Sequence, residues 1–204
     1  MKNLIVITSL LTAGTLAANA TTTLKYAAVG NLYAGKWTDD NQLSVSGSTL
    51  SQYSGFYTFK TSKFDFNNLK SAKFNIYLDY TSANAFLKVW AVERENTDLD
   101  EAIATKIITS VNQEYGFVPT SITTTQMGSM LSIDIASVLK KITKSKDVAI
   151  LIGREASGVC ILDCERSSRT TLSVEFFAVP EPSAFGLLAG LGALALVGAR
   201  RRRR

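Results

Sequence analysis

The sequence predicts an all-β domain, an antiparallel jelly-roll-like β-sandwich with one or two short helices, lying between two apolar chain ends. Three observations lead to that class. Short runs rich in β-branched and aromatic residues recur through residues 22–178. Lys73-Phe74-Asn75-Ile76-Tyr77-Leu78-Asp79 alternates cleanly, so that Phe74, Ile76 and Leu78 share one face of a strand. Turn-forming residues (Gly47, Gly55, Gly128 and Ser157-Gly158) punctuate the runs. Many short strands in a domain of this length read as a sandwich.

In chain order the expected strands are Leu24–Val29, Gln42–Ser46, Gly55–Thr61, Lys73–Tyr80, Phe86–Val92, Leu131–Ile135, Asp147–Ile152 and Thr170–Phe177. Two helical patches interrupt them. Thr97 with Asp98 can cap a turn through Glu101-Ala102-Ile103, and Ala136 to Ile142 puts Val138, Leu139 and Ile142 on one face.

The ends have their own logic. Residues 1–20 read as a signal peptide, with Lys2 as its positive start, Leu4 to Leu16 as its apolar stretch and Ala18-Asn19-Ala20 as a small-x-small cleavage site. Residues 21–178 form the domain. Residues 179–204 contain an apolar span, 183–199, followed by Arg200, Arg201, Arg202, Arg203 and Arg204. At ~1.5 Å per residue that span reaches ~25 Å, slightly short of a ~30 Å hydrocarbon core, and it could still cross a membrane with its arginines reaching into the headgroups. Arginines after the span hold that end in the cytoplasm, while the signal peptide delivers the domain outside.

The formal charge of +5 belongs to the ends. Taking Lys2 and the five terminal arginines from 22 basic residues leaves 16, and taking Glu181 from 17 acidic residues leaves 16. The domain is neutral by count, so its composition does not point to nucleic acid.

Val179-Pro180-Glu181-Pro182-Ser183, then the apolar span, then the arginine cluster, resembles the PEP-CTERM sorting signal. That resemblance implies export, processing by an exosortase (a membrane-embedded cysteine protease or transpeptidase) and a Gram-negative-type host that makes exopolysaccharide. Physics favours accessibility at the motif: Pro180 and Pro182 donate no backbone hydrogen bond and disfavour helix before them. Within the domain, the segment Phe64 to Leu78, with Ser132-Ile133-Asp134-Ile135 and Gly153-Arg154-Glu155, resembles the DNRLRE (disaggregatase-related) carbohydrate-binding module family. Leu99-Asp100-Glu101 stands where that family carries Trp-x-Glu.

Chemistry is sparse. With no histidine in the chain, Ser/His/Asp and Cys/His catalysis and histidine metal sites are excluded. The acidic residues Asp39, Asp40, Asp98, Asp100 and Glu101 are expected as solvated loop groups, and no enzyme is expected. No cofactor or metal centre is expected, although Asp39-Asp40 could hold a structural Ca²⁺ with backbone carbonyls. Cys160 and Cys164 either close a local disulfide, if the backbone turns there, or remain thiols. Trp37, Tyr33 and Tyr53 are the expected glycan platform, Trp37 because it sits in a polar, turn-like segment; Trp90 is expected in the core. Lys140-Lys141-Ile142-Thr143-Lys144-Ser145-Lys146 is either a solvated helix end or a site for acidic exopolysaccharide. The expected product is a non-enzymatic envelope or matrix protein, with exosortase, the export machinery, the membrane and exopolysaccharide as partners.

Overall fold

The computed structural model describes residues 21–39, 43–47, 49–111, 116–143, 146–154, 159–162 and 169–177. Thr21–Phe176 is a compact unit of its own, and the chain ends belong to the other unit. The described part is mostly strand: β1 (Thr21–Lys25), β2 (Ala28–Tyr33), β3 (Lys36–Thr38), β4 (Leu43–Ser46), β5 (Tyr53–Phe59), β6 (Leu69–Thr81), β7 (Ala85–Arg94), β8 (Phe117–Ile122), β9 (Ser129–Asp134), β10 (Asp147–Arg154), β11 (Val159–Leu162) and β12 (Thr171–Phe176). Two helices, α1 (Glu101–Val111) and α2 (Ala136–Leu139), join them, with 3-10 turns at Phe66–Asn68 and Thr124–Gln126.

The strands form two antiparallel sheets. One runs β1-β12-β6-β11-β4 with β9 also paired to β6, and the other runs β3-β2-β5-β10-β7-β8. Alternation decides what fills the space between them. From the first sheet Phe74, Ile76, Leu78, Ile133, Leu172 and Val174 point inward; from the second come Tyr57, Phe59, Leu87, Val89, Val148 and Ile150. A second apolar cluster lies on the outer face of the β5-β10-β7 region, where Phe56, Trp90, Val92, Ala149 and Leu151 meet Ala104, Ile107, Ile108 and Val111 of α1. β10 is therefore covered on both faces and every residue in it is buried. That explains why its sequence reads as a continuous apolar run instead of an alternation.

Several expectations need correcting. Leu24–Val29 is not one strand: β1 pairs with β12 in the first sheet, and the chain then crosses at Tyr26-Ala27 so that β2 pairs with β5 in the second. No glycine or proline marks that crossing. The helix after Thr97 is not one turn but eleven residues, and its cap is Asp100, whose Oδ1 accepts the Ile103 N–H at 2.7 Å. Three strands lack the run that would announce them. β3 has three residues, β11 has four, and β8 carries Pro119, which fits because β8 is an edge strand beside β7 alone.

One end of this unit gathers both of its chain termini. Thr21 opposes Glu175, and Phe176 opposes Leu69 across a register shift. The β5–β6 connection packs there, with the Phe64 ring stacked on Phe176 at 5.3 Å. Asp147, at the start of β10, ties that strand to the β5–β6 connection at this end. Its Oδ1 accepts the N–H groups of Thr61 and Ser62, both at 2.9 Å, while the Thr61 hydroxyl donates to the Lys146 carbonyl at 3.0 Å. Asp147→Ala should leave two N–H groups without an acceptor and cost about 2–3 kcal/mol in a urea titration, whereas Asp147→Asn, which keeps an acceptor oxygen, should lose much less.

Candidate functional site

The two aromatic positions at the start of β5 and the end of β2 do come together. Tyr33 opposes Tyr53 in register, and their rings meet edge to face at 5.6 Å and 88°. Tyr33 is 51% exposed, and the pair lies at the end of the unit away from β12's C-terminus. Trp37 does not join them. It opposes Leu32, so it projects from the other face of the sheet, over Gly30 and against Phe56 at 5.7 Å. A Cβ at position 30 would fall 2.2 Å from the indole, so glycine is what lets the ring lie flat there. The three expected platform residues thus divide, two on one face and one on the other.

A tight β2–β3 turn makes this arrangement, with Ala34 and Gly35 both at positive φ (51° and 73°). Positive φ at both central residues is the backbone of a two-residue hairpin with the right twist. The turn-like character read around Trp37 thus belongs to Ala34-Gly35, and Trp37 itself is in a strand. Its indole N–H donates to Asp39 Oδ1 at 2.8 Å, which occupies one oxygen of the expected calcium pair; Asp40 lies outside the described residues. Among the described residues no group of three or more acidic or cysteine side chains is placed to hold a metal.

Cys160 is a free thiol, fully buried in the core between the sheets. Burial pushes it up to about 12, an effect that the Arg154 cation offsets in part and Asp79 reinforces. Such a thiol is held neutral and is a poor nucleophile. Cys164 lies outside the described residues. Arg154 is itself buried at the end of β10, with its guanidinium donating to the Ala83 carbonyl at 3.0 Å; Glu155 lies outside the described residues. Trp90 is buried as expected.

The basic run is divided in use. Lys146 pairs with Glu95, and the Thr143 N–H donates to Glu93 Oε2 at 3.0 Å. Thr143's hydrogen bonds, side-chain first, hold the Glu93 carboxyl below the usual range, assisted by Lys146. Lys140 and Lys141 are exposed beyond α2. Their common position with Lys60 and Lys63 at one end of the fold has no signature in the sequence.

Pro180, Glu181, Pro182, the 183–199 span, Arg200 to Arg204 and the signal peptide all lie outside the described residues. Among the described residues no helix is long and apolar enough to cross a membrane. Comparison with known proteins bears on the tail. No curated protein matches the chain. One solved structure, a cryo-EM structure of Mud crab tombus-like virus, aligns with 85% of this chain and 99% of its own at 12% identity and a TM-score of 0.25, too low to inform the fold. The family comparison covers the tail alone and does not support the DNRLRE resemblance. Residues 178–203, which contain Pro180-Glu181-Pro182 and Arg200 to Arg203, match the PEP-CTERM protein-sorting motif, which marks the chain as exported and targeted to an exosortase.

Proposed function

We propose that this is a non-enzymatic protein of the cell envelope or extracellular matrix, delivered through its signal peptide, held briefly by the 183–199 span and processed near Pro180-Glu181-Pro182. The observation that carries the reading is the sorting motif at 178–203, which begins two residues after the last strand of a self-contained sandwich. We read that sandwich as a jelly roll. Support comes from the neighbour orders β1-β12-β6-β9 and β5-β10-β7-β8, which interleave early and late strands across two sheets as paired Greek keys do. Support for a non-catalytic role comes from the work the described carboxylates already do. Asp65, Asp100 and Asp134 accept nearby backbone N–H groups, and Asp147 bridges connections. Glu175 is held below the usual carboxylate range chiefly by its hydrogen bond from Lys70, opposite to the raised value of a general acid.

The experiment is to fractionate the native host and a strain lacking the processing protease. The chain should leave the membrane fraction in the first and accumulate there in the second; equal release from both would overturn the reading.

A second reading, glycan binding, is favoured by the paired rings of exposed Tyr33 and half-buried Tyr53. Flat ring faces suit the C–H groups of sugars. Loss of polysaccharide retention in Tyr33→Ala, with the fold intact, would support it; silence of the unaltered protein across a glycan array would end it.

A further inference from the structure

We infer that β1 is an exchangeable strand: it pairs with β12 of a second copy of the exported chain in place of that copy's own β1, so that two copies trade first strands and join as a symmetric dimer. The inference rests on the signal-peptide reading, in which Thr21 becomes the free first residue.

β1 is lightly held. None of its five residues is buried, and among the described residues it pairs with β12 alone. Its one apolar side chain, Leu24, opposes Leu172 and packs half-buried against the core. The hydroxyls of Thr23 and Ser173 approach only to 3.4 Å. β12 does not depend on β1 in the same way. It pairs with β6 from Thr171 to Phe176, and its Leu172 and Val174 are fully buried. When β1 leaves, β12 therefore persists as an edge with unpaired backbone groups, and such an edge takes up another strand.

The hinge is short and sits where local preference and the observed path disagree. From Tyr26 onward the chain is fixed in the second sheet. The Tyr26 ring meets Tyr57 edge to face at 5.4 Å, the Ala27 N–H donates to the Thr58 carbonyl at 2.7 Å, and the Ala28 N–H donates to Thr58 Oγ1 at 3.1 Å. Bending is thus confined to the step between Lys25 and Tyr26. Residues 24–29 contain no glycine or proline and read as one continuous strand, so the straight path is the one the local sequence favours, and pairing with β12 imposes the break. Straightening at the hinge carries β1 away from its own β12 and leaves every other strand in place.

The edge also selects its occupant. A strand that fits it turns a small residue and then a leucine toward the core and its other three side chains toward water, as Thr22 and Leu24 do against Thr21, Thr23 and Lys25. A second copy brings that strand in the same register, and reciprocal exchange closes the pair. Closed and exchanged forms share the same β1–β12 contacts, so the hinge and the protein concentration decide between them. Sorting spans that hold many copies on one membrane raise that concentration before processing.

The test mixes two variants of the processed chain from the native host, both carrying Cys164→Ser and both keeping the buried Cys160. One carries Thr23→Cys and an isotopic label, the other Ser173→Cys, at positions that oppose each other in register. After incubation in reductant and mild oxidation, mass spectrometry should find labelled chains linked to unlabelled ones through these two positions. Their yield should exceed by at least about tenfold that of Thr23→Cys mixed with Phe86→Cys, an exposed position on the other sheet. Inserting Gly-Gly between Lys25 and Tyr26 relaxes the bend and should lower the linked yield several-fold, while Thr23→Cys/Ser173→Cys within one such chain still closes on itself. A linked yield no higher than that of the Phe86→Cys control, from a chain that begins at Thr21, overturns the exchange alone. A native chain whose mass still includes residues 1–20 removes the signal-peptide reading and the exchange with it.

Discussion

Replacing Pro180, Glu181 and Pro182 together by alanine should abolish processing, leaving the chain in the membrane at a mass that still includes residues 183–204. The two prolines donate no backbone hydrogen bonds and disfavour helix in the residues before them, so the motif favours an extended strand that a protease cleft can accept. Alanine, the strongest helix former, would let any helix made by the span continue into the motif. Glu181→Gln separates the parts. It keeps both prolines and removes the charge alone, so retained processing would assign recognition to backbone shape, and lost processing would assign it to the carboxylate. Thermal stability should not change in either variant, because Thr21–Phe176 is compact by itself.

The largest effect on folding should come from Phe74→Ala. Phe74 is fully buried on β6, between Leu172 of β12 and Ile133 of β9, and its ring meets Tyr57 at 5.7 Å and Phe59 at 6.2 Å across the sandwich. Removing it takes a ring from the centre of the contact between the sheets, where the strands cannot close in without losing register. The expected cost is about 3–5 kcal/mol, a large share of the ~5–15 kcal/mol that holds such a domain together. The melting temperature should fall by about 10 °C or more. Phe86→Ala, at a ring 49% exposed, should change it by only a degree or two. Similar losses in the two variants would mean that the inter-sheet core does not carry the fold.

The strands with a face to bury were legible because their pattern follows from geometry. β6 alternates over thirteen residues, and Phe74, Ile76 and Leu78 all turn inward as read. The helix expected over 136–142 ends at Leu139, yet Val138, Leu139 and Ile142 are all buried as read. What sequence could not reveal depends on partners distant in the chain. β3 is a strand because β2 offers it an edge, and α1 is long because the outer face of β10 needs a cover. Tyr33 and Trp37 are four residues apart on either side of a two-residue turn; the hairpin register puts them on opposite faces, a parity invisible without knowing where the turn falls. Cys160 lies in the core because β11 pairs with both β6 and β4, which its short flanking sequence does not announce. The tail was legible for the opposite reason. Its three parts are contiguous and each acts through composition, so no fold is needed to read them.

Intact-mass analysis of the protein from its native host, compared with a strain lacking the processing protease, tests the central claim most directly. The account predicts that the mature protein lacks residues 1–20 and the tail beyond Pro182, and that the tail alone returns when the protease is absent. A mature mass that still includes residues 183–204 in the presence of the protease would contradict it, reducing the tail to an anchor on an exported sandwich.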